Sequence, residues 1–135
     1  MSVRKVIHTI YHQRNPAGRP VSYRLPGGVE LQLFPEGGVA EFLSVQRFFE
    51  RTELALVSAY LKPGMTVIDV GANIGLYSIL SEKRMVGTGT VWAFEPSLES
   101  FHRLEKNLQL NVVPARSTVS CGLGRARQDP YEAEE

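Results

Sequence analysis

The stretch MTVIDVGANIGLYSIL, residues 65–80, decides how this chain is read. A nearly all-apolar run, Met65 to Val70, carries one acid, Asp69. It breaks into Gly71-Ala72-Asn73-Ile74-Gly75 and resumes as a helix-like pattern from Leu76 to Lys83. A short apolar run suits a strand covered on both faces. A glycine-bearing turn between such a strand and a helix is where doubly wound α/β folds hold a ligand, because glycine permits unusual dihedrals and close backbone approach. Asp69 adds a demand of its own, since a carboxylate inside an apolar strand is costly unless something pairs with it.

Downstream, Gly87-Thr88-Gly89 is a turn and TVWAF, residues 90–94, is a second buried strand with Trp92 in the sheet core. Glu95-Pro96 closes it. Ser97 is placed as a helix N-cap with Glu99 in the first turn. Leu98, Phe101, Leu104 and Leu108 mark one face of a helix that ends near Asn111. Val112-Val113 and residues 117–120 supply a third, weaker strand. Upstream, Glu41 to Leu61 reads as a helix with Val45, Phe49, Leu56 and Tyr60 near one face, Phe48 beside them, and Lys62-Pro63-Gly64 as its stop. Strand, crossover helix and strand in this order predict a parallel sheet with right-handed connections.

The front of the chain has a different character. VRKVIHTIY, residues 3–11, is rich in β-branched and aromatic types and is expected to be a strand. HQRNPAGRP is loop chemistry. VSYRL, then PGG, then VELQLF predicts a hairpin over residues 21–34. Residues 1–40 are thus a strand and hairpin extension, 41–121 the α/β unit, and 122–135 an unpatterned tail.

With 135 residues, 43% hydrophobic and 21% charged, the chain has the composition of one globular domain. A formal net charge of +1 gives no field toward nucleic acid or a lipid surface. The longest apolar region is interrupted by Asp69 and two glycines, so it is no membrane span. The single cysteine, Cys121, excludes an internal disulfide framework and suits a reducing, cytoplasmic setting. The first 29 residues hold five basic side chains and no acid, yet lack the apolar core of a signal peptide.

Charge selects among ligands for the loop. A dinucleotide brings a pyrophosphate, and its G-x-G-x-x-G fingerprint needs glycine where this chain has Asn73. Asp69 would also oppose a phosphate. S-adenosylmethionine has no phosphate and brings a sulfonium and an ammonium, both favoured by a nearby acid. Glu95, twenty residues after Gly75 at the end of the next strand, is placed to take ribose hydroxyls.

VIDVGANIGLYS followed by VWAFEPSLESFHRLEKNLQLN resembles the FkbM-type family of S-adenosylmethionine-dependent methyltransferases. Its pattern, D-V-G-A-N-x-G, then A-F-E-P, then a helix ending in N-L-x-x-N, stands here as Asp69 to Asn73 with Gly75, Ala93 to Pro96, and Asn107, Leu108 and Asn111. The similarity covers about residues 41–111. It implies a Rossmann-like class I methyltransferase fold, S-adenosylmethionine as methyl donor, and a hydroxyl acceptor on a sugar or natural-product-like small molecule. By the same resemblance Gly71, Ala72, Asn73 and Gly75 shape the loop around the methionine part, Asp69 sits beneath it, and Glu95 holds the ribose. Ser120-Cys121 stands where the third strand approaches adenine. The family's domain is longer, so the fold is expected here as truncated after about three parallel strands, with the catalytic base unassigned. A noncatalytic remnant that keeps only the cofactor pocket is the second reading, and an NAD-dependent oxidoreductase the third.

Other residues carry less. His8 and His12 lie about 13 Å apart on a strand and have no third ligand, so no metal site is expected. His102, Glu50 and Glu53 read as solvated helix positions, and Cys121 lacks the basic neighbour that would activate a thiol.

Overall fold

The computed structural model describes residues 3–15, 17–25, 27–35, 51–113 and 118–121. The described residues begin with helix α1, Val3–Arg14, where a strand is expected. The β-branched composition pointed one way and the burial pattern another. Tyr11 is buried, and Val6 and Ile10 are half-buried at the i, i+4, i+5 spacing of a helical stripe. Propensity is a weak prior that such anchoring overrides. His8 and His12 are therefore one helical turn apart. Among the described residues there is no group of three or more metal-ligating side chains.

The hairpin forms as expected. β1, Val21–Leu25, and β2, Val29–Leu33, pair antiparallel from Val21↔Leu33 to Leu25↔Val29. Gly27 and Gly28, with φ of 86° and 77°, make the turn, a left-handed conformation that residues with a Cβ rarely adopt. Strand alternation sends Val29, Leu31 and Leu33 into the core. There they share one buried cluster with Ala72, Ile74, Leu76, Ile79, Leu80, Ala93, Leu104, Leu108 and Tyr11.

The α/β unit starts in the described residues at α2, Arg51–Tyr60. Val45, Phe48 and Phe49 lie outside the described residues. Of the stripe expected with them, Leu56 and Tyr60 are 70% and 72% exposed, while Leu54 and Val57 pack against the core instead. β3, Thr66–Val70, α3, Leu76–Arg84, and β4, Thr90–Phe94, form the β–α–β unit, and β3 and β4 pair in parallel. α4, Leu98–Leu110, is capped by Ser97, whose hydroxyl accepts from the Ser100 amide. Leu104 and Leu108 of its expected stripe are buried, Phe101 is half-buried, and Leu98 is exposed. β5, Thr118–Cys121, adds to β4 in parallel, giving the order β3-β4-β5. Val112 and Val113 stay out of that strand. They form the turn after α4, with the Val113 amide on the Leu108 carbonyl.

The sheet has two unlike faces. Val91 and Ala93 are buried and Val67 and Asp69 half-buried on one side. On the other, Ile68, Val70 and Trp92 are 66%, 77% and 38% exposed, so β3 is not covered on both faces and Trp92 is not core. The apolar composition of β3 answers to burial on two sides, and the described elements provide it on one. Among the described residues, no helix is long and apolar enough to cross a membrane.

Candidate functional site

Parallel pairing puts the C-terminal ends of β3 and β4 side by side, with Asp69 opposite Ala93 and Val70 opposite Phe94. The loop of residues 71–75 springs from this edge. Gly71 and Ala72 donate their amides to the Phe94 carbonyl at 2.8 and 3.0 Å, extending the pairing two residues beyond β3. Asn73 turns with φ 51° and donates its amide to Glu95 Oε2 at 2.8 Å. The Gly75 amide closes the turn on the Ala72 carbonyl at 2.8 Å.

Two glycines serve different ends here. Gly71 has φ 81°, and a Cβ on it would meet nothing within 4 Å, so backbone conformation alone requires glycine and open space lies beside it. Gly75 has φ 93°, and a Cβ would lie 2.7 Å from Leu104 Cδ1, so both conformation and close packing exclude a side chain.

The two acids have different partners. Glu95 is buried, with both oxygens on backbone: Oε2 accepts from Asn73 and Oε1 from the Ser97 amide, each at 2.8 Å. One carboxylate thus ties the glycine loop to the start of α4, and each oxygen keeps a lone pair for a further donor. Asp69 accepts from the Ser78 hydroxyl, in the first turn of α3, at 2.5 Å. Gly75 supplies no side-chain cap to that helix, and Asp69 reaches its first turn from the strand through Ser78. Burial raises the Asp69 carboxyl above its ordinary value of 3.8. The Ser78 hydrogen bonds pull it down, and the charge of Glu95 adds to the rise. Among the described residues, no ion pair engages either acid.

All six residues singled out in the sequence, Asp69, Gly71, Ala72, Asn73, Gly75 and Glu95, gather at this one edge. β5 brings Ser120 and Cys121 opposite Ala93 and Phe94, beside the same edge. Glu53 and His102 are exposed, and His102 lies 3.3 Å from Glu105 and beside the Phe101 ring. Glu50 and the 122–135 tail lie outside the described residues.

The chain is 37% identical over 93 residues to the 31-O-demethyl-FK506 methyltransferase FkbM of Streptomyces tacrolimicus, an alignment that takes in 69% of this chain and 35% of that protein. It is 36% identical over 59 residues to Methyltransferase 1 of Beauveria bassiana, covering 44% of this chain and 23% of that one. Over the aligned residues the chain resembles the FkbM-type methyltransferases. It spans about a third or less of the length of these curated relatives. No family model matches it. Among solved structures, M. jannaschii TYW2 in complex with AdoMet superposes with a TM-score of 0.55 at 17% identity, over 75% of this chain and 42% of that one. P. horikoshii TYW2 in complex with MeSAdo gives 0.55 at 19%, over 89% and 47%. At these identities the likeness establishes the fold, a Rossmann-like class I methyltransferase fold of which the described residues present three parallel strands.

Three residues around the site have no assigned role in the sequence analysis. Ser78, which pairs Asp69, carries no local signal. Asn107 and Asn111 stand there only as letters of the family pattern. Both lie on the core stripe with Leu104 and Leu108, and a polar residue on an apolar helix face needs buried partners. That signal was available.

Proposed function

We propose that this chain carries the cofactor-binding half of an S-adenosylmethionine-dependent methyltransferase acting on a hydroxyl of a small, sugar-like or natural-product-like acceptor, in the cytoplasm. The observation that supports it most is the pair of carboxylates, Asp69 and Glu95, bracketing an open backbone loop with no cation beside them among the described residues. Two acids at one strand edge repel each other and a phosphate, and are relieved by a cation. This disfavours the pyrophosphate of NAD and favours a ligand with a sulfonium and an ammonium.

Gly71, Ala72, Asn73 and Gly75 would shape the loop along the methionine part, with the open side of Gly71 giving room for close approach. Asp69 would face the positive charge, and the free lone pairs of Glu95 would accept the ribose hydroxyls. Ser120 and Cys121 would border adenine. S-adenosylmethionine held there would supply an electrophilic methyl carbon to an acceptor oxygen, with the thioether sulfur as the leaving group. The loop contributes by fixing one reactant, the kind of positioning that dominates such displacements. The acceptor's proton needs a base that the six residues do not provide.

The test is calorimetric titration of the full chain with S-adenosylhomocysteine, S-adenosylmethionine and NAD, with a labelled-methyl assay on hydroxyl acceptors. Micromolar binding of both S-adenosyl ligands but not NAD, weakened by Glu95→Ala, is the expected result. Binding without any transfer would identify a cofactor-holding module that makes no product by itself. A folded chain that binds neither S-adenosyl ligand would end the proposal.

A further inference from the structure

The loop is also held from a direction that its own strands do not supply. Asn107 is fully buried on α4, between the hairpin and the loop. Its Oδ1 accepts the Gln32 amide at 2.7 Å, while its Nδ2 donates to the Gln32 carbonyl at 3.3 Å and to the Ile74 carbonyl at 2.9 Å. One turn later, Asn111 repeats the hairpin half of this pattern. Its Oδ1 accepts the Glu30 amide at 2.9 Å and its Nδ2 donates to the Glu30 carbonyl at 2.5 Å, with a further donation to the Asn107 carbonyl at 2.7 Å.

The match is one of spacing. Residues i and i+2 of an edge strand turn their amide and carbonyl groups the same way, roughly 7 Å apart, and side chains at i and i+4 on a helix are about 6 Å apart. Two asparagines at 107 and 111 therefore present carboxamides to Glu30 and Gln32 as a neighbouring strand would present peptide groups. They satisfy the outer edge of β2, which would otherwise be open. Asn111 ends there. Asn107 uses its second N–H for the glycine loop, and its orientation is fixed, because only this one puts both donors on carbonyls and the acceptor on an amide. Within the loop the other tethers come from the Phe94 carbonyl, the Glu95 carboxylate and the loop itself. Apolar packing of Ala72 and Ile74 also meets the hairpin, but among the hydrogen bonds of the described residues it is Asn107 that bridges loop and hairpin.

We infer that Asn107 is a positioning residue for the glycine loop, and that through its carboxamide the docking of the hairpin and the binding of a ligand at the loop strengthen each other. The second half rests on the S-adenosyl reading of the loop, and the first does not. Coupling of this kind is reciprocal: what steadies the loop must steady the hairpin.

Amide hydrogen exchange on the full chain tests both halves, with Val91 in the buried β4 strand as the reference for global opening. Without ligand, Asn107→Ala is expected to speed exchange at Asn73 and Gly75 by about tenfold relative to Val91, one lost hydrogen bond's worth, and Asn111→Ala to leave them unchanged. Equal acceleration in both variants would overturn the positioning role and leave Asn107 as a core support. S-adenosylhomocysteine is expected to slow exchange at Glu30, whose own acceptor is Asn111, in the wild type and not in Asn107→Ala. Equal protection in both would overturn the coupling. In the wild type, where no variant has to fold, the ligand should slow exchange of the Asn107 side-chain amide protons more than those of Asn111. The reverse order, or no difference, would count against the inference. If no S-adenosyl ligand binds while loop exchange still depends on Asn107, the ligand assignment fails and the positioning role stands.

Discussion

The glycine loop and the hairpin sit on either side of α4 and are built on opposite plans. The loop, residues 71–75, anchors Ala72 and Ile74 in the core and is shaped by hydrogen bonds to the Phe94 carbonyl, the Glu95 carboxylate and the Asn107 carboxamide. Its side toward Gly71 is open. The hairpin puts Val29, Leu31 and Leu33, each no more than 1% exposed, into the core, and its polar edge is closed by two asparagines. One region spends backbone polarity on shape and keeps a free face, while the other buries one strand and closes that strand's outer edge. A ligand site needs the first plan, and a platform that keeps the site in place needs the second.

The sharpest way to break the platform is Leu31→Ala. Leu31 is fully buried in the cluster that also holds Ile74 and Leu104. The cavity should cost about 2–5 kcal/mol of stability, read by chemical denaturation. A loss below about 1 kcal/mol, the size of an exposed substitution, would mean that the hairpin is an ornament on the fold. Next in size, Gly75→Ala adds strain at φ 93° and a clash with Leu104. Its cost should be roughly 1–2 kcal/mol for the backbone and roughly 1–3 kcal/mol for overpacking. Gly71→Ala should show only the backbone share, since its Cβ meets nothing. If the two alanines cost the same, the distinction drawn between the glycines is wrong.

The smallest effect on stability is the most telling for the loop. Asp69 has its carboxyl raised above 3.8, chiefly by burial. In the pH window above 3.8 the folded chain therefore binds a proton that the unfolded chain has released. Its contribution to stability is largest below that window and falls as pH rises through the folded value. Asp69→Asn keeps an acceptor for Ser78 and removes this slope. At neutral pH it should be as stable as the wild type or more so, while binding of S-adenosylmethionine weakens by about tenfold or more, the loss of one charge-assisted contact. Unfolding curves across pH with calorimetry at pH 7 would check both. A variant both less stable and equally tight would make Asp69 a structural partner of Ser78 and nothing else.

Much of the α/β unit is legible because its signals are local. Apolar runs of strand length, Gly71 and Gly75 at the loop, Ser97 as a cap and an acid at each strand end all act within a few residues of themselves. Chain order then determines the parallel sheet, and the spacing of Asp69, Gly71, Gly75 and Glu95 gathers the candidate site at one edge. Where the reading failed, the deciding partner was distant. α1 looked like a strand until Tyr11 found the core, and Leu56 and Tyr60 looked buried until Leu54 and Val57 took the inner face.

The sequence by itself determined the β–α–β order, the loop and the sign of the charge around it, because backbone dihedrals and ionisable groups are written residue by residue. Only the tertiary structure decided who satisfies whom: Ser78 on Asp69, backbone amides on Glu95, and two asparagines standing in for a strand along β2. Hydrogen bonds such as that from the Gln32 amide to Asn107, made across 75 positions of chain, depend on packing that brings α4 and the hairpin together, and no local pattern encodes that meeting.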